Sequence, residues 1–212
     1  MRKHLVWDWN GTLLNDFSAI VASTNDAVTR LRGQVLSAQE HRDRFYRPSI
    51  DFYSELVGRP LRPEEFAELD ARFHSSYSRH FRECGLTRDA RDAIAAWQGS
   101  QSLLSMWFHD QLVGLVDQHG LTTSFSRVDG LRDRGADDSK HPHLVNHLTA
   151  LGHEPTDCVL IGDTVDDAVA AGSAGAACVL YSGGFTSERK LRETGHPVAA
   201  TLTEAVELAW RA

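Results

Sequence analysis

A few polar residues in this sequence stand out by where they fall. Asp8 closes the short apolar run Leu5-Val6-Trp7 and is followed by the polar turn Asn10-Gly11-Thr12. Asp163 follows Gly162 at the end of a second apolar run, Cys158-Val159-Leu160-Ile161, with Asp166 and Asp167 just beyond it. Ser105 ends a third run, Leu103-Leu104, and Lys140 stands ahead of the helical stretch that leads to Asp163. A carboxylate in such a position can attack phosphorus and carry the phosphoryl group as an acyl-phosphate, splitting one difficult displacement into two. A phosphate facing several carboxylates needs a divalent cation between them. Oxygen donors that leave room for retained waters suit Mg²⁺. A lysine and a serine hydroxyl nearby would offset the charge of the transferring group.

The flanking elements must bring these residues together. Residues 3–8 read as a buried strand, and strands follow near 101–105, 126–129, 158–161 and 177–181. Helices are expected at 89–97, 109–119, 141–151, 165–174 and 203–211. Continuous apolar strands alternating with helices predict a doubly wound parallel sheet covered on both faces, a Rossmann-like α/β architecture. In such a sheet ligands sit at the carboxyl ends of the strands, which is where Asp8, Ser105 and Asp163 fall. Residues 16–86 have a different texture. Phe17, Ile20, Val21, Thr24, Ala27, Val28 and Leu31 recur at helical spacing, with Gly33 as the stop. Ser37 and Glu40 have capping-box spacing, a further helix lies near 50–57, and Pro63-Glu64-Glu65 opens a long helix striped by Phe66, Leu69, Phe73, Tyr77 and Phe81. The division expected is a catalytic core of residues 1–15 and 87–212 with an all-helical insert, 16–86, between its first and second strands.

Four segments resemble the motifs of the haloacid dehalogenase-like (HAD) superfamily. Asp8-Trp9-Asn10-Gly11-Thr12-Leu13 resembles the first motif, D-x-D-G-T-L, with one change. Leu103-Leu104-Ser105 resembles the second, Lys140 the third, and Gly162-Asp163-Thr164-Val165-Asp166-Asp167 the fourth, G-D-x-x-x-D. Their order and spacing carry the resemblance over nearly the whole chain, and the helical insert is similar to the cap of phosphoglycolate phosphatase-like members. The resemblance implies a Mg²⁺-dependent phosphohydrolase with Asp8 as nucleophile. Asp8, Asp163 and the backbone carbonyl of Asn10 would hold the metal, and Asp167 would hold a metal-bound water or orient Lys140. Ser105, Thr12 and backbone N–H groups near Gly11 and Met106 would bind the phosphate.

The change falls at residue 10. The family's phosphatases carry an Asp there that protonates the leaving group and then activates water. Asparagine cannot shuttle a proton at neutral pH, and losing a general acid–base group typically costs about 10²–10⁴-fold. Three outcomes stay open: a leaving group that needs no proton, another donor such as His109, or weak or lost hydrolysis. A phosphate-binding protein without turnover, a phosphotransferase and a dehalogenase-type relative are therefore alternatives. Asn10→Asp is expected to raise turnover on simple alkyl phosphates. A Schiff-base mechanism on a cap lysine is disfavoured, because no lysine lies between Lys3 and Lys140.

The insert is rich in Arg and His, and Arg47, before Pro48, is the residue chosen to clamp an anionic substrate. Tyr46 and Tyr53 could line an apolar side of the pocket, with core packing as the competing reading. An insert of this size suggests a lid over a small phosphorylated metabolite, hinged near 14–16 and 85–88. The net charge of −7 disfavours nucleic acid as a partner. No apolar run is long enough for a membrane span and no signal-peptide pattern opens the chain, so a cytoplasmic monomer or homodimer is expected. Cys84, Cys158 and Cys178 are too few and too far apart for a disulfide framework or zinc site, and the last two read as core thiols.

Overall fold

The computed structural model describes residues 3–133 and 139–212, apart from the side chain of Arg82. Six parallel strands form one sheet in the order β3-β2-β1-β4-β5-β6: β1 His4–Trp7, β2 Gln101–Phe108, β3 Val128–Leu131, β4 Cys158–Gly162, β5 Ala177–Tyr181 and β6 Val198–Ala199. The chain winds outward from β1 in both directions, so strand order reverses between β1 and β4. Those two strands run in register from His4 opposite Cys158 to Trp7 opposite Ile161. The next residues are therefore Asp8 on one side of the reversal and Gly162-Asp163 on the other.

All residues of β1 and β4 are buried, as expected of central strands with helices on both faces. Alternate side chains serve opposite layers. Leu5, Trp7, Leu103, Val159, Ile161 and Val179 pack in one cluster with residues of α5 (Ala90–Ala96), α6 (His109–Gln118) and α10 (Leu202–Ala209). Val6, Leu104, Cys158, Leu160, Cys178 and Leu180 pack in the other with α7 (Lys140–Leu151), α8 (Val165–Ala174) and α9 (Glu188–Glu193). Cys158 and Cys178 are thus core thiols, and all three cysteines are free. No helix among the described residues is long and apolar enough to cross a membrane.

Between β1 and β2 the chain forms α1 (Phe17–Thr29), α2 (Ala38–Arg44), α3 (Ser49–Val57) and α4 (Pro63–His80), with no strand among them. These helices have an apolar cluster of their own, built on Val28, Leu36, Phe52, Leu56 and Leu69. The capping box at Ser37 and Glu40 is formed, the Glu40 N–H donating to Ser37 Oγ at 3.2 Å and the Ser37 N–H to Glu40 at 2.8 Å. The left-handed residue after α1 is Arg32 (φ 54°), not Gly33. Ala19 on α1 and Tyr77 on α4 join the core cluster of the sheet. The two linkers also pair with each other: Leu14 bridges Leu86 in antiparallel fashion, the Asn15 N–H donates to Gly85 at 2.9 Å, and the Thr87 N–H to Leu13 at 2.8 Å.

Three elements differ from the sequence expectation. β2 does not stop at Ser105 but runs to Phe108, with an irregular register against β3 between Leu104 and Phe108. Such a bulge lets a strand continue while re-aiming individual side chains. α9 and the two-residue β6 were not expected, being too short to show a period.

One face of the sheet contains a buried polar chain. Asp129 accepts from His147 Nδ1 at 2.7 Å, His147 Nε2 meets Ser102 Oγ at 2.8 Å, and the same Oγ meets His4 Nε2 at 2.7 Å. Burial, reinforced by the neighbouring His153 and His147, holds His4 down at about 4, and burial lowers His147 as well. An unfolded histidine takes up its proton near 6.5, so between about 6.5 and 4 His4 is protonated in the unfolded chain but not in the native one. Its contribution to stability therefore falls as pH is lowered through that window, while the buried carboxyls of Asp8 and Asp16, raised to about 6, act in the opposite sense. Urea denaturation of the unmodified protein and of His4→Gln at pH 7 and pH 5 checks this: the variant should lose less stability, or gain more, on going to pH 5, and an identical pH dependence in the two proteins would contradict it.

Candidate active site

The four motif segments meet at the carboxyl ends of β1 and β4. Carboxylate oxygens of Asp8, Asp163 and Asp167 lie within 4.8 Å of one another, and all three residues are buried. Lys140, first residue of α7, places its ammonium between Asp8 Oδ1 and Asp167 Oδ1, the latter at 2.5 Å. Local sequence explains each placement. Asp167 completes a capping box with Thr164, accepting from the Thr164 N–H at 3.0 Å and hydroxyl at 2.6 Å through Oδ2. This leaves Oδ1 for Lys140, so the acid caps its helix and serves the cluster at once. Asp166 accepts from the Lys140 backbone N–H at 3.1 Å, which ties the start of α7 to that of α8. Asp163 is held by Thr12 Oγ1 at 2.8 Å and by the Phe185 N–H at 2.7 Å. A Cβ on Gly11, whose φ is 75°, would collide with the Asp163 carboxylate, so only glycine lets the turn after β1 approach so closely.

The electrostatics follow from three buried acids beside one ammonium, which bonds only Asp8 and Asp167. Burial pushes Asp8 up to about 6 despite Lys140, and Asp163 well up, with the charges of Asp8 and Asp167 adding to burial. Burial would discharge Lys140, but Asp167 and Asp8 outweigh it and hold the ammonium above its ordinary value. Burial likewise opposes ionisation of Asp167, and Lys140 with Thr164 outweighs it to hold that carboxyl low. The cluster is short of positive charge around Asp163. Its donors are carboxylate oxygens, the set that suits a hard divalent cation.

Asn10 lies beside this cluster with its side chain fixed by hydrogen bonds. Its Nδ2 donates to Asp16 Oδ2 at 2.8 Å and lies 2.9 Å from the Tyr77 hydroxyl, while Oδ1 accepts from Ser105 Oγ at 3.0 Å. Tyr77 also donates to Asp16 at 2.6 Å, and the Gly11 N–H donates to the other Asp16 oxygen at 2.7 Å. Asp16 is fully buried, and burial raises it to about 6 against the pull of these donors. Sequence reasoning placed residue 16 only at a linker. The available signal was an acid among Leu13, Leu14 and Phe17, six positions after Asn10, where the motif it resembles has an acid.

A cavity of about 310 Å³ opens onto Asp8, Asn10, Ser105, Met106, Lys140 and Asp167 on the sheet side and onto Arg47, Tyr53, Phe66, Phe73 and His74 on the helical side. Arg47 lies at its rim with Nε 3.8 Å from Asp166. Three expected substrate contacts lie elsewhere. The Gly11 N–H is taken by Asp16, and the Thr12 hydroxyl is turned onto Asp163. His109 begins α6 with its ring bonded to the Gly130 N–H at 3.3 Å and to Arg132 at 3.0 Å. The extension of β2 carries His109 to the β3 edge, away from the described cavity lining. Tyr53 faces the cavity, whereas Tyr46 is partly exposed beside a neighbouring cleft.

The geometry revises the expectation for residue 10. An aspartate there would set two acceptor-only groups about as close as Nδ2 and Asp16 Oδ2 now lie, 2.8 Å apart. Asn10→Asp alone should therefore lower stability by on the order of 1–3 kcal/mol. The pair Asn10→Asp with Asp16→Asn, which exchanges donor and acceptor, should recover most of it. Gain of turnover on alkyl phosphates is expected in the double variant rather than the single one. Urea titrations of the three variants check this, and independent, additive effects would rule the coupling out.

Comparisons with known proteins agree with this architecture. Residues 139–205, which contain Lys140, Asp163 and Asp167, match the family model described as HAD-hydrolase-like. A predicted phosphatase from Clostridium acetobutylicum superposes over 100% of both chains with a TM-score of 0.85 at 15% identity. A haloacid dehalogenase-like family hydrolase from Streptococcus pneumoniae matches over 97% of both chains, with a TM-score of 0.81 at 17% identity. A predicted phosphoglycolate phosphatase from Haemophilus somnus also covers 97% of both chains, with a TM-score of 0.75 at 17% identity. At such identities the likeness is one of fold. No curated protein matches the chain in sequence. Residues 139–205 thus carry the signature of the HAD-hydrolase-like family model, and the chain over its whole length shares the fold of these haloacid dehalogenase-like structures.

Proposed function

We propose that the chain is a Mg²⁺-dependent phosphohydrolase that takes the phosphoryl group of a small substrate onto Asp8 and passes it to water. The observation that carries this reading is the buried grouping of Asp8, Asp163 and Asp167 around the Lys140 ammonium, at the point where strand order reverses. Asp8 and Asp163, with the Asn10 backbone carbonyl, would hold the cation, which supplies the charge that lets an anionic nucleophile meet an anionic phosphate. Lys140 bonds Asp8 through Oδ1, which would fix the carboxylate and make Oδ2, 3.4 Å from the Thr12 hydroxyl, the candidate attacking atom. Ser105, anchored by the Trp107 N–H at 3.1 Å, and Met106 border the place where the phosphate oxygens would lie. Residues 16–86 would act as the cap and 1–15 with 87–212 as the catalytic core.

Asn10 changes the proton accounting of both steps. Its amide hydrogens are directed inward to Asp16 and Tyr77, so it offers only an oxygen towards Ser105 and the cavity. It neither protonates a leaving group nor takes a proton from water. That observation favours the second reading, a phosphate-binding HAD protein of low turnover.

Hydrolysis of p-nitrophenyl phosphate and acetyl phosphate separates the two. Turnover is expected with Mg²⁺, lost on chelation and restored by added Mg²⁺. Asp8→Asn should reduce it by about 10³-fold or more, the scale of losing a covalent nucleophile. Full activity in Asp8→Asn would refute the aspartyl-phosphate route, and phosphate binding without turnover of either compound would select the second reading.

A further inference from the structure

The cavity that joins the acidic cluster is most polar at its sheet end. Towards the helices its walls are mostly rings and aliphatic side chains, with Thr24, His41, Ser49 and the Asp70–His74 pair among them. Tyr53 and Phe66 lie with centroids 6.3 Å apart on one side. His74 packs against Phe108 at 4.8 Å and Phe73 at 5.4 Å on another. Ile20 of α1 and Ile50 of α3 also line the cavity. The charges around it have the wrong sign for a substrate that carries a second anionic group besides its phosphate. Among the described lining residues the cations are Lys140, committed to Asp8 and Asp167, and Arg47, which faces Asp166. Asp70 adds a carboxylate on the helical side, paired with His74 at 3.2 Å. A substrate carrying a second carboxylate or phosphate would have to desolvate that charge against rings and an acid, without a free cation to meet it.

The geometry points to a phosphate monoester of an uncharged, flat, aromatic alcohol as the substrate class, with its ring held among Tyr53, Phe66, Phe73 and Phe108. This deepens the phosphohydrolase reading and rests on it. Rings of this kind prefer offset or edge-to-face packing at centroid separations of about 4.5–7 Å. The volume of about 310 Å³ is at the small end of ligand cavities, enough for one or two fused rings beside the phosphate.

The same class answers the loss of the acid at residue 10. A phenolic oxygen leaves as an anion whose conjugate acid has a pKa of about 10, against about 16 for water and similarly for aliphatic alcohols. An Asp8 carboxylate oxygen attacks phosphorus, the bond from phosphorus to the aryl oxygen breaks, and its electron pair departs on the phenolate. The phenolate takes its proton from solvent. Water then attacks the phosphorus of the acyl-phosphate, the bond to the Asp8 oxygen breaks, and inorganic phosphate leaves with the displaced proton going to solvent. Neither step asks Asn10 for a proton.

The test compares phenyl phosphate and 2-naphthyl phosphate with glycerol 3-phosphate and phosphoglycolate, at saturating Mg²⁺. The expected result is a kcat/KM at least about 10²-fold higher for the aryl esters, with the KM share reflecting ring burial of roughly tenfold or more. Phe73→Ala and Phe66→Ala should raise KM for phenyl phosphate several-fold more than for acetyl phosphate, which has no ring. Calorimetry with the Asp8→Asn protein gives an independent readout, in which phenyl phosphate should bind at least about tenfold more tightly than glycerol 3-phosphate. Hydrolysis with phosphoglycolate or glycerol 3-phosphate preferred, or equal binding of aryl and alkyl esters, overturns the aryl assignment and leaves the phosphohydrolase reading standing. Selective binding of phenyl phosphate with no turnover of any ester upholds the ring site and removes the hydrolytic reading.

Discussion

Three carboxylates are buried within a few ångströms of one another, and a single ammonium pairs with two of them, Asp8 and Asp167. Everything else in the molecule can be read as the apparatus for that arrangement. Desolvated anions of like sign repel strongly where water cannot screen them, so the fold must supply both the positive charge and the hydrogen-bond donors. It draws them from separate elements: Lys140 from the start of α7, Thr164 from the cap of α8, Thr12 from the turn after β1, and the Phe185 N–H from the loop after β5. The parallel sheet brings these together because β1 and β4 are adjacent and end at the same level. A surplus of negative charge remains around Asp163, which is the condition under which a divalent cation is welcome.

The second constraint is the fixed orientation of Asn10. In isolation the replacement of an acid by an amide looks like the loss of a function. In place, the amide is half of a donor–acceptor pair whose other half, Asp16, carries the acid. The amide hydrogens face inward because Asp16 and Tyr77 lie there, and the carbonyl is left to face Ser105. An exchange at one position is therefore incomplete without the other. The ring-lined space beyond it is consistent with the same logic, since a good leaving group makes an acid unnecessary.

Much of this was legible in the sequence, for reasons particular to each element. β1, β4 and β5 are continuous apolar runs because both faces of the sheet are covered, and such runs ending in acids or Gly-Asp are hard to mistake. The capping box at Ser37, the Pro-opened α4 and the Gly152 stop of α7 were readable because caps rely on particular residue types. β2 was read short because the bulge near Ser105 to Trp107 has no turn residue to signal it. α9 and β6 are below the length at which periodicity exists. Among the candidate site residues, Asp8, Lys140, Asp163 and Asp167 lie together as their places at strand and helix ends suggested. The Gly11 N–H and the Thr12 hydroxyl, expected to face phosphate, bond Asp16 and Asp163, because backbone and hydroxyl donors turn to the nearest acceptor. Asp16 was missed because a residue six positions away in sequence gives no sign that its carboxylate folds back onto the amide.

The paired linkers set how the two parts can move. Were residues 14–16 and 85–88 separate single strands, the helical part could swivel about either one. Bridging of Leu14 to Leu86, reinforced by the Asn15 and Thr87 bonds, turns them into a short ribbon. A ribbon bends readily across its plane and resists shear within it, so its softest deformation is a swing about one axis. Arg42 spans the far side of the mouth, bonding the Gly184 carbonyl at 2.9 Å and the Gly183 carbonyl at 3.1 Å, and Lys190 reaches the Phe45 carbonyl at 2.9 Å. The two sides of the mouth are thus joined differently, by a backbone ribbon on one and by side-chain-to-carbonyl bonds, part-buried or exposed, on the other.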